Sequence, residues 1–391
     1  MRILMILERN FPPDVRVEKE IKSLIAAGYE IVLLTSSVDS ENEIKHWNDA
    51  IIHQHKMSKF IYKTSVGALK FSFYFLYWKK LLTKIFQQYK FDAIHLHDLP
   101  LSKIADKFAD KFQIPFILDL HENWPAALEI AVHTNTFLGK MLSSNKQWEN
   151  YEKKYTKRAD AVITVVEEMK NRICKLEIEE NKISVLQNTI ELENFIINAN
   201  KKDDDKINIF YSGGINYHRG LQIAIDAIKI IKEEYPEIRL QIVGSGSYEK
   251  ILRQKVMTEN LSNNVEFYGW KNYSEMMMML QKAQIAIITH LRSIQTNNSS
   301  PNKLFQYMFS QKPIVVSDCD SVKRIVKKVG CGVVYKDKDS GDLAKKIKLL
   351  LKNDKLCQKM GNYGKVAVET KYNWQNSSKK LIEMYQRVFE K

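Results

Sequence analysis

Two segments in the second half of this sequence bring cations to places where backbone N–H groups should be free. The first is Asn297-Asn-Ser-Ser-Pro-Asn-Lys-Leu-Phe-Gln-Tyr-Met308, in which Ser300 suits a helix N-cap and Pro301 the first helical position. A helix that opens at Asn302 leaves its first amides without intrahelical acceptors, and such a terminus favours phosphate. Lys303 adds a full charge in the first turn, and Gln306, one turn on, can hydrogen-bond a hydroxyl. The second is Tyr211-Ser-Gly-Gly-Ile-Asn-Tyr-His-Arg-Gly220, directly after an apolar strand-like run. Gly213 and Gly214 allow a tight turn and close approach of a ligand to the backbone. Arg219 offers a fork of donors suited to a diphosphate. Each segment also has a plain alternative: a capped helix with a solvated lysine, and an ordinary glycine turn.

Other chemistry-bearing residues point less firmly. Val243-Gly-Ser-Gly246 is only a G-x-G, with Gly244 at the strand end and no third glycine. The turn after the first strand, Glu8 to Asp14, has no glycine. Both features speak against a dinucleotide-binding dehydrogenase. His121, in Asp119-Leu-His-Glu122, ends a strand and can polarise or hydrogen-bond a reacting group; the alternative is a structural histidine. His95 and His97 share one face of a neighbouring strand. Two ligands at one strand tip do not make a metal site, so no metal is expected. Asp318-Cys-Asp320 reads as a helix cap and Asp203-Asp-Asp205 as part of a linker, not as D-x-D clamps. The four cysteines form no C-x-x-C pair, which fits a reducing compartment.

The elements that must position these residues alternate along the chain. In the first half, strands are expected at Ile3 to Leu7, Glu30 to Leu34, Ala93 to His97, Pro115 to Leu120, Ala161 to Val165 and Ile183 to Leu186, with helices between them. In the second half they are expected at Ile207 to Tyr211, Ile238 to Val243, Val265 to Tyr268, Ile285 to Ile288, Ile314 to Val316 and Gly332 to Tyr335. This β-α order predicts an α/β fold of two doubly wound, Rossmann-like domains with parallel sheets. Ligands then bind beyond the carboxyl ends of the strands, here in a cleft between the domains. The 391 residues suit two domains. The charged run Lys201 to Lys206 places the boundary, giving domains 1–200 and 201–373, with 374–391 as a last helix.

The formal charge of +14 favours anionic partners. The opening apolar run is about six residues, too short for a signal peptide. No run reaches the ~18 apolar residues of a membrane span. The expected location is the cytoplasm, either soluble or peripherally attached to the inner face of the membrane. Between Ala50 and Phe91 there are eight lysines and no acid, around Phe71-Ser-Phe-Tyr-Phe-Leu-Tyr-Trp78. That combination suits peripheral contact with a membrane; the alternative is a core helix with a solvated lysine face. No nucleic-acid module is present, and no nucleic-acid partner is expected.

In this order the segments resemble the retaining glycosyltransferases of family 4, which have the GT-B fold, and the resemblance covers nearly the whole chain. Gly213 to Gly220 is similar to that family's G-R-L-x-x-x-K-G loop. Pro301 to Met308 with Lys312-Pro-Ile-Val-Val-Ser317 is similar to its E-x7-E helix and following strand. Asp14-Val-Arg-Val17, Arg158-Ala-Asp-Ala-Val-Ile-Thr-Val165, Leu186-Gln-Asn188 and Asn373-Trp374 are familiar family stretches. The resemblance implies a nucleotide-diphosphate sugar as donor substrate, held by the second half, with no further cofactor. It implies a glycan or lipid-linked acceptor, held by the first half, and a last helix that crosses back. It places Arg219 and Lys303 on the diphosphate, Gln306 on the ribose, Asn298 near the donor sugar and His121 at the reacting centre. Trp270, in Gly269-Trp-Lys271, falls where main chain holds the base. Three positions depart from the pattern: Gly214 stands at a phosphate-binding arginine, and Asn298 and Gln306 replace the two glutamates. The implied activity is hexosyl transfer with retention, in cell-surface polysaccharide biosynthesis. A turnover-deficient binding subunit and another GT-B enzyme such as a sugar-nucleotide epimerase are the alternative readings.

Overall fold

The computed structural model describes residues 1–130, 144–194 and 206–390. The chain divides into two compact units, Met1–Gln187 with Ser377–Lys391, and Asn188–Asn376. The division falls after Gln187 because Arg16 of the first unit holds the Leu186 carbonyl at 2.8 Å, while Ile190 already bridges Asn373 in the second. The charged run Lys201 to Lys206, apart from Lys206, lies outside the described residues.

The first unit is built on eight strands: β1 (Arg2–Leu7), β2 (Glu30–Ser37), β3 (Glu43–Trp47), β4 (Ala50–Lys56), β5 (Ala93–His97), β6 (Phe116–Leu120), β7 (Ala161–Thr164) and β8 (Ile183–Val185). Their order is β3-β4-β2-β1-β5-β6-β7-β8. Strands β1, β5 and β6 are buried on both faces, which explains their continuous apolar runs. The expectation of a wholly parallel sheet needs one correction: β3 pairs antiparallel with β4. A two-residue turn joins them, with Asn48 and Asp49 at positive φ of 44° and 65°. Its Asn-Asp pair lacks the glycine that usually marks such a hairpin in sequence. Strand β3 is an exposed, charged edge, a pattern easily read as loop.

The Trp374–Phe389 helix packs on this unit from Ser377 onward. Fully buried Tyr385 contacts His95 Nδ1 through its hydroxyl at 2.8 Å, and Phe389 stacks on Tyr29. Arg387 donates to Ser184 Oγ at 3.0 Å.

The second unit has six strands, β9 (Ile207–Ser212), β10 (Ile238–Val243), β11 (Val265–Gly269), β12 (Ile285–Ile288), β13 (Ile314–Ser317) and β14 (Gly332–Tyr335). All pairs are parallel, in the order β11-β10-β9-β12-β13-β14. The winding reverses between β9 and β12, so the carboxyl ends of those two strands flank the switch point where such sheets bind ligands. In the first unit the reversal lies between β1 and β5.

A candidate anion-binding site

The helix spans Asn302–Phe309 and opens at Asn302 as expected, but its N-cap is not Ser300. Pro301 (φ −71°, ψ 119°) is the N-cap, and among the described residues no side chain caps the helix and the buried Ser300 hydroxyl has no partner. Outside contacts hold the preceding carbonyls: Ser321 Oγ donates to that of Ser299 at 2.7 Å, and Asn188 Nδ2 to that of Ser300 at 3.4 Å. The first-turn amides therefore lack the serine cap predicted for them and remain available to a ligand. A short helix, Ile294–Asn297, precedes this one, and Asn298 closes it by donating Nδ2 to the Ile294 carbonyl at 2.7 Å.

Lys303 does not point to water. It is 8% exposed, and its Nζ lies 3.8 Å from the centroid of the Tyr211 ring. A Cβ built on Gly213 would sit 2.7 Å from that Nζ, and Gly213 has φ +131°. The positive φ favours glycine there, and any side chain would displace the lysine amine. Gly244 abuts the same turn: its own Cβ would fall 2.1 Å from the Gly213 carbonyl oxygen. Gly214 is unconstrained, with only Asn216 Nδ2 near its missing Cβ, at 3.5 Å.

Arg219 closes a short 3-10 turn, Tyr217–Arg219, that is pinned to the end of β12. Thr289 Oγ1 donates to the Arg219 carbonyl at 2.8 Å, and the Leu291 amide to that of His218 at 2.9 Å. This docking sets Arg219 Nη1 3.0 Å from His290 Nε2. Buried Arg219 Nε and His290 Nδ1 have no hydrogen-bond partner among the described residues.

The electrostatics of this cluster have one sign. Burial, and then the Arg219 charge, hold the Lys303 ammonium well below the usual lysine range. Burial, Arg219, Lys303 and His218 act likewise on His290. His218 is pushed down to about 4 by burial, Arg219 and Lys303. Among the described residues neither Arg219 nor Lys303 forms an ion pair with a carboxylate. Buried cations without counter-charge are costly, and an arriving anion relieves that cost.

The sequence-predicted residues thus divide. Gly213, Gly244 and Lys303 meet, and Arg219 lies close enough to depress the Lys303 charge. Gln306 is half-buried one turn beyond Lys303, and Trp270, after β11, is 76% exposed. Asn298 commits its amide nitrogen to the turn before the helix. Sequence reasoning missed Tyr211, His218 and His290. His290 follows β12 by two residues at the switch point, a position that the strand-tip rule marks without naming a residue type.

His121 is not a lone histidine. Its Nε2 lies 3.1 Å from Asp119 Oδ2 and 3.2 Å from His97 Nδ1. Burial opposes its charge, but Asp98 and Asp119 raise it to about 9. Arg16 and His121 hold Asp119 well below the carboxylate range despite its burial. The spacing argument counted two ligands on β5; the fold adds carboxylates from the Val15–Ala26 helix and β6. Ligand atoms of Glu20, His95, His97 and Asp119 all lie within 4.8 Å of one another. The Arg16 guanidinium already touches both acids, at 2.9 Å from Asp119 and 3.0 Å from Glu20. Asp320 opens a helix and pairs with Arg292 at 3.1 Å, and Asp203 to Asp205 lie outside the described residues.

The depressed His218 predicts a pH dependence. Its folded-state value is below its unfolded one, so the unfolded chain binds the proton more readily. Stability is then intact above about pH 6.5 and falls as the pH drops from there to about 4. Melting temperatures of the ligand-free chain should fall across that window, and less steeply for His218→Gln.

Comparison with known proteins bears on the fold and the family. The family described as "Glycosyl transferases group 1" matches residues 193–367, and "Glycosyltransferase Family 4" matches residues 15–194. Glycogen synthase of Mycobacterium tuberculosis is 21% identical over 98% of this chain and 94% of its own. Sucrose-phosphate synthase from Thermosynechococcus elongatus superposes with a TM-score of 0.81 at 15% identity, over 100% of this chain and 99% of that one. Anabaena Alr3699/HepE, solved in complex with UDP and glucose, gives 0.70 at 13% identity, over 99% and 100%. With its two doubly wound units, the chain has the GT-B fold, and it carries a glycosyltransferase family 4 domain in its first half and a group 1 glycosyltransferase domain in its second.

Proposed function

We propose that this glycosyltransferase moves a hexosyl group from a nucleotide-diphosphate sugar to a glycan or lipid-linked acceptor, with retention of configuration. The observation that carries the reading is the uncompensated cluster of Arg219, Lys303 and His290 at the β9/β12 switch point. A donor diphosphate supplies the missing negative charge. As the sugar C1–O bond breaks, charge develops on the leaving diphosphate. Arg219, Lys303 and the amides of the Asn302–Phe309 helix stabilise it; each charge-assisted contact contributes about 1.5–3 kcal/mol. The new C1–O bond forms to an acceptor hydroxyl, whose proton passes to the leaving diphosphate oxygen.

Gln306 would hold the ribose and Asn298 would lie near the donor sugar, both as neutral amides. Exposed Trp270 would lie beside the base. His121, fixed by Asp119 and His97 at a strand tip of the first unit, would hydrogen-bond the reacting sugar. The product is a cell-surface polysaccharide or lipid-linked glycan, made at the cytoplasmic face of the membrane. The similarity to glycogen synthase, the UDP-bound Anabaena protein and the basic stretch 50–91 support these assignments.

The test is incubation with a panel of nucleotide sugars and acceptor glycans, followed by NMR of the product anomer. One donor should be consumed in the presence of acceptor, and its anomeric configuration kept. Inversion would overturn the retaining assignment. Epimerisation without acceptor would indicate the alternative enzyme class, and diphosphate binding without turnover the binding subunit.

A further inference from the structure

The basic, aromatic stretch folds into two helices whose outward side chains are not what solvent exposure favours. The Phe73–Gln88 helix buries Tyr74, Phe75, Trp78, Leu81, Leu82 and Ile85 against the core. The expected core helix is therefore real, yet it accounts for only half of the aromatic run. Phe71, Phe73 and Leu76 face out, about half exposed, on the turn into that helix and its first turn. The Lys59–Thr64 helix buries none of its residues and presents Phe60, 67% exposed, and Tyr62, 58% exposed. The rings of Phe60 and Phe73 lie 6.4 Å apart, so the two helices share one apolar face. Helical spacing continues the outward face of Phe73 and Leu76 into Lys80 and Lys84.

All eight lysines of the 50–91 stretch are exposed. Lys56 pairs with Glu41 at 3.4 Å. Lys59, Lys63, Lys79, Lys80, Lys84 and Lys90 form no ion pair among the described residues. We propose that this face docks on a bilayer bearing anionic headgroups. The aromatic side chains enter the interface and the lysines meet lipid phosphates. A second copy of the chain would set lysines against lysines, and a nucleic acid would leave the apolar side chains in water. The proposal rests on the reading that the acceptor is presented at a membrane, and it names the surface and the lipid chemistry.

The test uses the full chain and sedimentation with vesicles of phosphatidylcholine alone or with about one third phosphatidylglycerol. Binding should appear with the anionic vesicles, weaken as salt is raised, and be absent with the neutral ones. The exposed-residue variants Phe60→Ser/Phe73→Ser and Lys79→Glu/Lys80→Glu should each bind roughly tenfold or more weakly, with unchanged melting temperature. No preference for anionic vesicles, or variants that bind like the parent, would overturn the surface. Stabilisation of the chain by a nucleoside diphosphate reports on the second unit alone. If the surface is wrong that stabilisation persists; if the diphosphate-site reading is wrong it is missing while vesicle binding remains.

Discussion

Lys303→Met should raise the melting temperature of the ligand-free chain while abolishing its response to a nucleoside diphosphate. The two effects have opposite signs because they share one cause. Lys303 is buried beside Arg219 without a carboxylate, and its only close partner among the described residues is the Tyr211 ring. Its folded-state value lies below its unfolded one, so the chain loses stability at every pH below the ordinary lysine range. Methionine fills similar space without charge and should return about 1–2 kcal/mol to the ligand-free state. In the proposed transferase reaction, the same change would remove a cation from the leaving group. Loss of one such donor typically lowers kcat by ~10²–10³. Calorimetric melts and steady-state kinetics on one preparation measure both. A lysine with a merely structural role would give destabilisation and near-normal kinetics.

Gly220→Ala should cause the largest loss of stability. Gly220 has φ +71°, and a Cβ there would meet the Thr289 carbonyl oxygen at 1.8 Å. That carbonyl belongs to the backbone that carries His290, so neither side can yield cheaply. Backbone strain and the clash together should cost on the order of 3 kcal/mol, a fall of roughly 6–12 °C for a unit of this size. Gly28→Ala is the control: its φ is also positive, at 87°, but nothing lies within 4 Å of the missing Cβ. It should cost only about 1 kcal/mol. Equal effects at the two positions would show that the contact with Thr289 has no energetic weight.

Much of the fold was legible because buried parallel strands leave continuous apolar runs, as in Ile3 to Leu7 and Ile285 to Ile288. The β3–β4 hairpin was not, since its exposed edge and Asn-Asp turn carry neither signal. At the site, Gly213, Arg219 and Lys303 could be named because glycine and cations have few uses at a strand tip. Ser300 was misassigned as the N-cap: local sequence cannot see that Ser321 and Asn188 hold the carbonyls of Ser299 and Ser300 from outside the segment. His290 and Tyr211 escaped because a histidine after a strand and a tyrosine within one look structural until the fold turns them toward the same lysine. His121 and its partners Asp119 and His97 come from two strands, and spacing along one strand could not join them.

The central claim is that Arg219, Lys303 and the start of the Asn302–Phe309 helix form one site for a diphosphate. Isothermal titration of the chain with a nucleoside, its monophosphate and its diphosphate tests this directly. Affinity should rise with each phosphate, and the diphosphate's advantage should disappear in Lys303→Met. Equal binding of nucleoside and diphosphate, or an undiminished advantage in the variant, would contradict it.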